Sequence, residues 1–171
     1  MEKFDINDFD EIYKIMEQSF PKDEFRPKDK QLSLLKDERY SIFGVREGGK
    51  IISFAAIWML DGAVFIEHLV TLSKRRGEGI GSQMLRDISV MFPFPICLEV
   101  EPPQDKMTRR RIEFYRRCAM HLNEYPYIQP ALAKDRSPVP LLIMTSGSEI
   151  NEATFKKLKA DIYKHVYKIE S

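Results

Sequence analysis

Phe65-Ile66-Glu67-His68-Leu69-Val70-Thr71, then Leu72-Ser73-Lys74-Arg75, then Arg76-Gly77-Glu78-Gly79-Ile80-Gly81-Ser82, is the stretch that decides the fold of this 171-residue chain. The first seven residues are rich in β-branched and aromatic side chains and contain no Gly or Pro, which predicts a strand. A basic loop and a glycine turn follow, and Ser82 begins a helix. Met84, Leu85, Ile88, Met91 and Phe92 recur at three- and four-residue spacing, the pattern of one apolar helix face. Three glycines on alternate positions at a helix start let the backbone approach a ligand with no Cβ in the way. The first N–H groups of a helix lack intrahelical partners, and the helix dipole adds positive character. The segment is therefore an anion site, best suited to a phosphate or pyrophosphate. Lys74, Arg75 and Arg76 add formal charge beside it.

Several nucleotide folds share a strand, a glycine-rich turn and a helix. A P-loop requires Lys after its last glycine, and none follows Gly81. The dinucleotide fingerprint requires Gly-x-Gly-x-x-Gly, whereas Gly77, Gly79 and Gly81 are spaced Gly-x-Gly-x-Gly. What stands here is Arg-x-x-Gly-x-Gly from Arg76 to Gly81. That string resembles the acetyl-CoA pyrophosphate motif of the GNAT superfamily of N-acetyltransferases. His68-Leu69-Val70-Thr71 before it and Phe114-Tyr115 after it extend the resemblance.

The resemblance implies an α/β fold with a mixed, mostly antiparallel central sheet flanked by helices. In it, the strands before and after the glycine turn splay to form the cofactor cleft. It implies that acetyl-CoA binds at Arg76, Gly77, Glu78, Gly79, Ile80, Gly81 and Ser82, with the backbone of Leu69, Val70 and Thr71 pairing to its pantetheine amides. A splayed strand has free N–H and C=O groups that need such partners. Tyr115 is expected at the cofactor sulfur, protonating the departing thiolate; the bland alternative is a core tyrosine. Glu67 is the candidate general base, weighed against a cross-strand salt bridge or hydrogen bond. Alternation puts Glu67 and His68 on opposite strand faces, with His68 read as a packed sheet histidine. Glu99 and Glu101 share one face of the next strand and are fallback bases. Two departures from the family pattern stand out. Thr108 and Arg111 replace a usual Asn and Ala, leaving the usual Asn contact to pantetheine without its side chain. Ala119-Met120 replaces Gly-Phe at the helix end.

Outward from this stretch, Asn7 is expected to cap a helix striped by Phe9, Ile12, Tyr13, Met16 and Phe20, stopped by Pro21. A charged loop follows, with Glu24 and Arg26 as candidate substrate contacts, then a short helix holding Leu32, Leu34 and Leu35. Tyr40 to Val45 and Ile51 to Leu60 read as strands around Gly48-Gly49, and Asp61-Gly62 as a hairpin turn. Trp58 is expected to pack on this sheet. Ile96 to Glu101 reads as a strand, Gln104 to Met120 as a helix, and Tyr125 to Gln129 and Leu141 to Thr145 as strands. A last helix, capped by Asn151, carries Phe155, Leu158, Ile162, Val166 and Ile169 on one face and lysines on the other.

The chain length suits one domain, 1–171, with a real core. The formal net charge is +1, so neither bulk nucleic-acid affinity nor an acidic membrane surface is indicated. The arginines at 109, 110, 111, 116 and 117 spread around their helix and are expected in part to pair with Glu113 or sheet carboxylates. The N-terminus is polar, with no signal peptide or membrane span. Cys97 and Cys118 match no metal spacing and are read as reduced thiols of a cytoplasmic enzyme. The expected activity is acetyl transfer from acetyl-CoA to an amine, by direct attack in a ternary complex and without a metal. The acceptor is a small molecule or a peptide amine, and a homodimer is compatible with this reading. The alternative is a non-catalytic acyl-CoA sensor, which needs Arg76 to Gly81 but neither a base nor Tyr115.

Overall fold

The computed structural model describes residues 1–169. Seven strands form one sheet in the order β1-β2-β3-β4-β5-β7-β6: β1 (Glu2–Phe4), β2 (Tyr40–Glu47), β3 (Lys50–Met59), β4 (Val64–Thr71), β5 (Ile96–Val100), β6 (Met120–Gln129) and β7 (Val139–Ser146). Helices α1 (Phe9–Ser19), α2 (Lys28–Ser33), α3 (Ile80–Met91), α4 (Lys106–Arg117) and α5 (Glu152–His165) complete the fold. All pairings are antiparallel except β4–β5, which is parallel and is joined by the α3 crossover. The expected mixed, mostly antiparallel sheet is observed.

Turn chemistry sets the first half of the sheet. Gly48 and Gly49 both have positive φ, +57° and +78°, the requirement of a tight two-residue hairpin turn between β2 and β3. Asp61-Gly62 turns β3 into β4, closed by Leu60 N–H donating to the Ala63 carbonyl at 2.9 Å. Each face of the sheet buries its own core. On one face α1, α5 and Phe25 cover Phe54, Trp58, Phe65 and Val70. On the other, α3 and α4 cover Ile57, Ile66, Leu98 and Val100 through Met84, Leu85, Ile88, Ile112 and Tyr115.

Two irregularities in β4 position the site. Ile57 pairs with Ile66 and Ala56 with His68, leaving Glu67 as the extra residue of a β-bulge. A bulge bends its strand and increases its twist. Pairing with β5 runs only from Val64↔Ile96 to Ile66↔Leu98 and stops immediately before that bulge. The two central strands then diverge.

Several boundaries differ from the sequence reading. Asp5, not Asn7, makes the N-terminal cap: its carboxylate accepts from Asn7 N–H, opening a 3₁₀ turn that runs into α1. Helix α3 starts at Ile80, and Met91 is 44% exposed at its end while Phe92 lies just beyond it, so the buried face is Met84, Leu85 and Ile88. Helix α4 stops at Arg117, because Ala119 takes φ +62° and turns the chain into β6. That strand starts five residues earlier than its sequence suggests. Its register breaks between Asn123 and Tyr127, which hides the period-two pattern.

Candidate active site

A cleft of about 1350 Å³ occupies the divergence of β4 and β5. It is lined by β4 from Ile66 to Thr71, the glycine turn, the end of β5, and one face of α4. Every residue expected at the cofactor site lines it except Glu78.

The glycine turn has the backbone conformation of an anion cradle. Gly77 and Gly79 adopt φ of +83° and +80°, a region that side-chain-bearing residues enter at a cost. Gly79 caps α3, and the first helical bond runs from Gln83 N–H to the Gly79 carbonyl at 3.0 Å. The N–H groups of Ile80, Gly81 and Ser82 thus precede the ladder. A Cβ at Gly77 would meet nothing within 4 Å, and one at Gly79 only Ser82 Oγ at 3.9 Å. A Cβ at Gly81 would press on the Phe114 ring at 3.3 Å, so this glycine also lets α4 approach α3. Among the basic residues, Arg75 is bound by Glu78 at 2.7 Å and Glu47 at 2.5 Å. Glu78 is therefore occupied with an arginine. Among the described residues Arg76 makes only a long side-chain contact, 3.4 Å, to the Thr71 carbonyl, and no salt bridge. The residues present fit a pyrophosphate-bearing ligand.

Tyr115 lines the cleft from α4. Its ring is packed in the α3/α4 core, 8% exposed, and burial pushes the phenol up to about 12. No hydrogen bond to its hydroxyl is formed among the described residues. Thr108 stands where the family has Asn, and the capping box of α4 consumes it: Thr108 N–H donates to Asp105 Oδ1 at 2.8 Å, and Thr108 Oγ1 accepts from Asp105 N–H at 3.0 Å. It does not line the cleft. Arg111 pairs with Glu101 at 3.5 Å and Arg116 with Glu113 at 2.5 Å, as expected for a partly paired helix.

The carboxylates differ in ways that alternation did not reveal. Because Glu67 occupies the bulge, it and His68 do not point to opposite faces. Both find partners in the layer of Arg26 and the loop before α2. Glu67 Oε2 accepts from Arg26 Nη1 at 2.8 Å, and Oε1 from Trp58 Nε1 at 2.8 Å. The two side chains of the ion pair are 7% and 2% exposed. Burial alone would raise Glu67, but the Arg26 guanidinium, His68 and the indole N–H overcome it and hold the carboxyl below its ordinary value. Both oxygens are engaged, and a carboxylate so held is a weak proton acceptor. Glu67 thus lines the cleft within a buried ion pair. Arg26, expected as a substrate contact, is buried behind the cleft wall. His68 donates Nε2–H to the Glu24 carbonyl at 2.7 Å and packs against Phe20. Among the described residues its Nδ1 has no partner, and burial lowers the pKa of the ring and favours its neutral form.

Glu99 has the opposite character. It lines the cleft from β5. Burial raises it to about 8, aided by repulsion from Glu67 and Glu24 and opposed by two tyrosine hydroxyls. Tyr127 donates to Oε2 at 2.5 Å, and Tyr167 lies 2.7 and 2.8 Å from the two oxygens. Glu24 also lines the cleft, raised to about 7 by burial and by Glu101. Tyr127 and Tyr167 were invisible to sequence reading: one lies beyond a register break, the other beyond the last helix, and neither sits in a motif. Cys97 and Cys118 are free thiols, as expected.

The fold has counterparts among solved structures. No curated protein sequence matches the chain. A putative acetyltransferase of the GNAT family from Bacteroides thetaiotaomicron is 26% identical, with a TM-score of 0.85 over 99% of this chain and 98% of that one. The ribosomal-protein-S18-alanine N-acetyltransferase of Escherichia coli shares the fold at 15% identity and a TM-score of 0.64, over 88% and 94% of the two chains. NAA60 of Arabidopsis thaliana, solved in complex with acetyl-CoA, does so at 13% identity and a TM-score of 0.64, over 84% and 95%. The model of the acetyltransferase (GNAT) family matches residues 9–120, and the chain belongs to that family.

Proposed function

We propose that this protein transfers an acetyl group from acetyl-CoA to a primary amine in a ternary complex, in the cytoplasm. The observation that carries the reading is that Glu99 and Tyr115 line one cleft from the two opposite faces of the sheet, on either side of the β4–β5 divergence. The pyrophosphate sits on the N–H groups of Ile80, Gly81 and Ser82, next to Arg76. The pantetheine arm runs along Leu69, Val70 and Thr71, whose outer backbone groups have no strand partner beyond Ile66. The acceptor enters from the side of Phe20, Glu24 and His68. Its nitrogen lone pair forms a bond to the thioester carbonyl carbon. Glu99 takes the proton from that nitrogen, a task suited to a carboxylate raised to about 8. The carbon–sulfur bond then breaks, and the Tyr115 hydroxyl, kept protonated by burial, donates to the thiolate.

Acceptor carboxylates would meet Glu24, Glu99 and Glu101 in this cleft, so amines without a neighbouring carboxylate are the better acceptors. The test is acetyl-CoA turnover against a panel of amines, with free thiol as readout, on the native protein and Glu99→Gln. Turnover that falls about 10²- to 10⁴-fold in the variant, with acetyl-CoA affinity retained, supports the reading. Acetyl-CoA binding without turnover on any amine refutes it.

A further inference from the structure

We propose that Tyr167, in the segment after α5, is a positioning residue that aims Glu99 into the cleft and sets its proton affinity. This rests on the acetyl-transfer reading above and adds to it a part of the chain outside residues 9–120, the range that the family model matches. Helix α5 ends at His165. The chain then folds back: Tyr167 N–H donates to the Ile162 carbonyl at 3.3 Å, and Ile169 N–H to the Tyr163 carbonyl at 2.8 Å. Arg26 anchors this turn. Its Nη2 donates to the Val166 carbonyl at 3.2 Å, and its guanidinium carbon lies 5.9 Å from the centre of the Tyr167 ring. Lys168 adds an ion pair to Asp37 at 2.6 Å. The result delivers the Tyr167 hydroxyl to both oxygens of Glu99, 68 residues away in sequence.

Chemistry follows from the geometry. A carboxylate buried in a sheet needs donors to be ionised at all, and donors to the charged form favour it. Tyr127 from β6 and Tyr167 supply them. The other groups around Glu99 are Tyr163 on α5, Cys97 on its own strand, Glu67 on β4 and Glu24 before α2. None of these is a cation, and the nearby guanidinium of Arg26 is committed to Glu67. The two hydroxyls are therefore what keeps Glu99 within reach of ionisation. Glu67, expected as the general base, becomes part of the support of this arrangement: Glu67 holds Arg26, Arg26 holds the Val166–Tyr167 turn, and Tyr167 holds Glu99.

The test is Tyr167→Phe in the full chain, which keeps the ring over Arg26 and removes only the hydroxyl. Two quantities are read. One is the titration of Glu99 by carboxyl-carbon NMR on glutamate-labelled protein, assigned with Glu99→Gln. The other is the acidic limb of kcat/KM against pH. Loss of a donor to the charged form raises the carboxyl further, so both midpoints should move up together by about one pH unit, and the rate at pH 7 should fall about tenfold and recover in alkali. A uniform rate loss at every pH with an unmoved Glu99 titration overturns the proposal, leaving Tyr167 a packing residue. A shifted titration with an unmoved limb upholds the hold of Tyr167 on Glu99 and overturns Glu99 as the proton acceptor. Glu99→Gln separates the two readings: if that variant turns over normally, the base assignment has failed independently of Tyr167.

Discussion

Removing the charge of Arg26 should expose how much the molecule depends on one buried ion pair. Arg26→Met keeps the length of the apolar stem and leaves Glu67 buried with only the Trp58 indole N–H as partner. The side chains are 7% and 2% exposed and meet at 2.8 Å, so solvent cannot replace the lost partner. Breaking such a pair from one side costs about 3–5 kcal/mol. For a chain of this size that corresponds to a fall in Tm of roughly 6–20 °C. The sign with pH is also fixed. In the native protein Glu67 lies below its ordinary value of 4.5, so its contribution to stability is present above that value and is lost as pH falls through the depressed one. In Arg26→Met burial dominates and the carboxyl rises, so its contribution to stability is fullest below 4.5 and is lost as pH rises through the raised value. That variant should therefore gain stability as the pH is lowered from 7 towards 5. Urea unfolding across this range measures both effects. The double variant Arg26→Met with Glu67→Gln removes the stranded charge, keeps an acceptor for Trp58, and should recover most of the loss. A single variant within about 1 kcal/mol of the native protein, or a double variant no better than the single one, would refute the reasoning.

Tyr115→Phe should lower turnover about 10- to 100-fold with little change in acetyl-CoA affinity, because the hydroxyl matters as charge develops on sulfur; steady-state rates and calorimetry on one preparation decide it. Gly79→Val should abolish acetyl-CoA binding in calorimetry, since φ is +80° there and a side chain would stand at the helix start; normal affinity in a folded variant would remove the cradle from the cofactor site. Ala119→Gly should raise stability by about 0.5–1 kcal/mol in urea, because the residue sits at φ +62° where glycine is unstrained; no gain would mean that the greater freedom of the unfolded chain cancels the relief.

The fold was legible because its signals are local. Gly48-Gly49 and Asp61-Gly62 declare hairpins within two residues. The run from Arg76 to Gly81 declares a helix start suited to an anion, and Phe114-Tyr115 follows at the family's distance. Of the candidate site, only the glycine turn and Tyr115 were legible, for the same reason. Around the carboxylates the decisive contacts join residues far apart: Arg26 to Glu67 and to Val166, Tyr127 and Tyr167 to Glu99. A bulge leaves no fixed residue signature, so alternation placed Glu67 and His68 on opposite faces of β4. The carboxylates Glu67 and Glu99 look alike in sequence, and only their surroundings separate a paired anion from a titrating acid. Thr108 likewise reads as a lost contact until its capping box is seen.

A strand can be viewed as a row of positions, each entitled to a neighbour across the ladder. β4 holds one position that the ladder does not count. Deleting Glu67 would leave Ile57 opposite Ile66, Ala56 opposite His68 and Ala55 opposite Leu69, with every other pairing to β3 intact. The sheet would lose no bond that it uses. It would lose the bend that parts β4 from β5, and the charge that fixes Arg26. In the grammar of insertions and deletions, the parting of β4 from β5 begins at a single supernumerary residue. A chain one residue shorter would make a more regular ladder between β3 and β4.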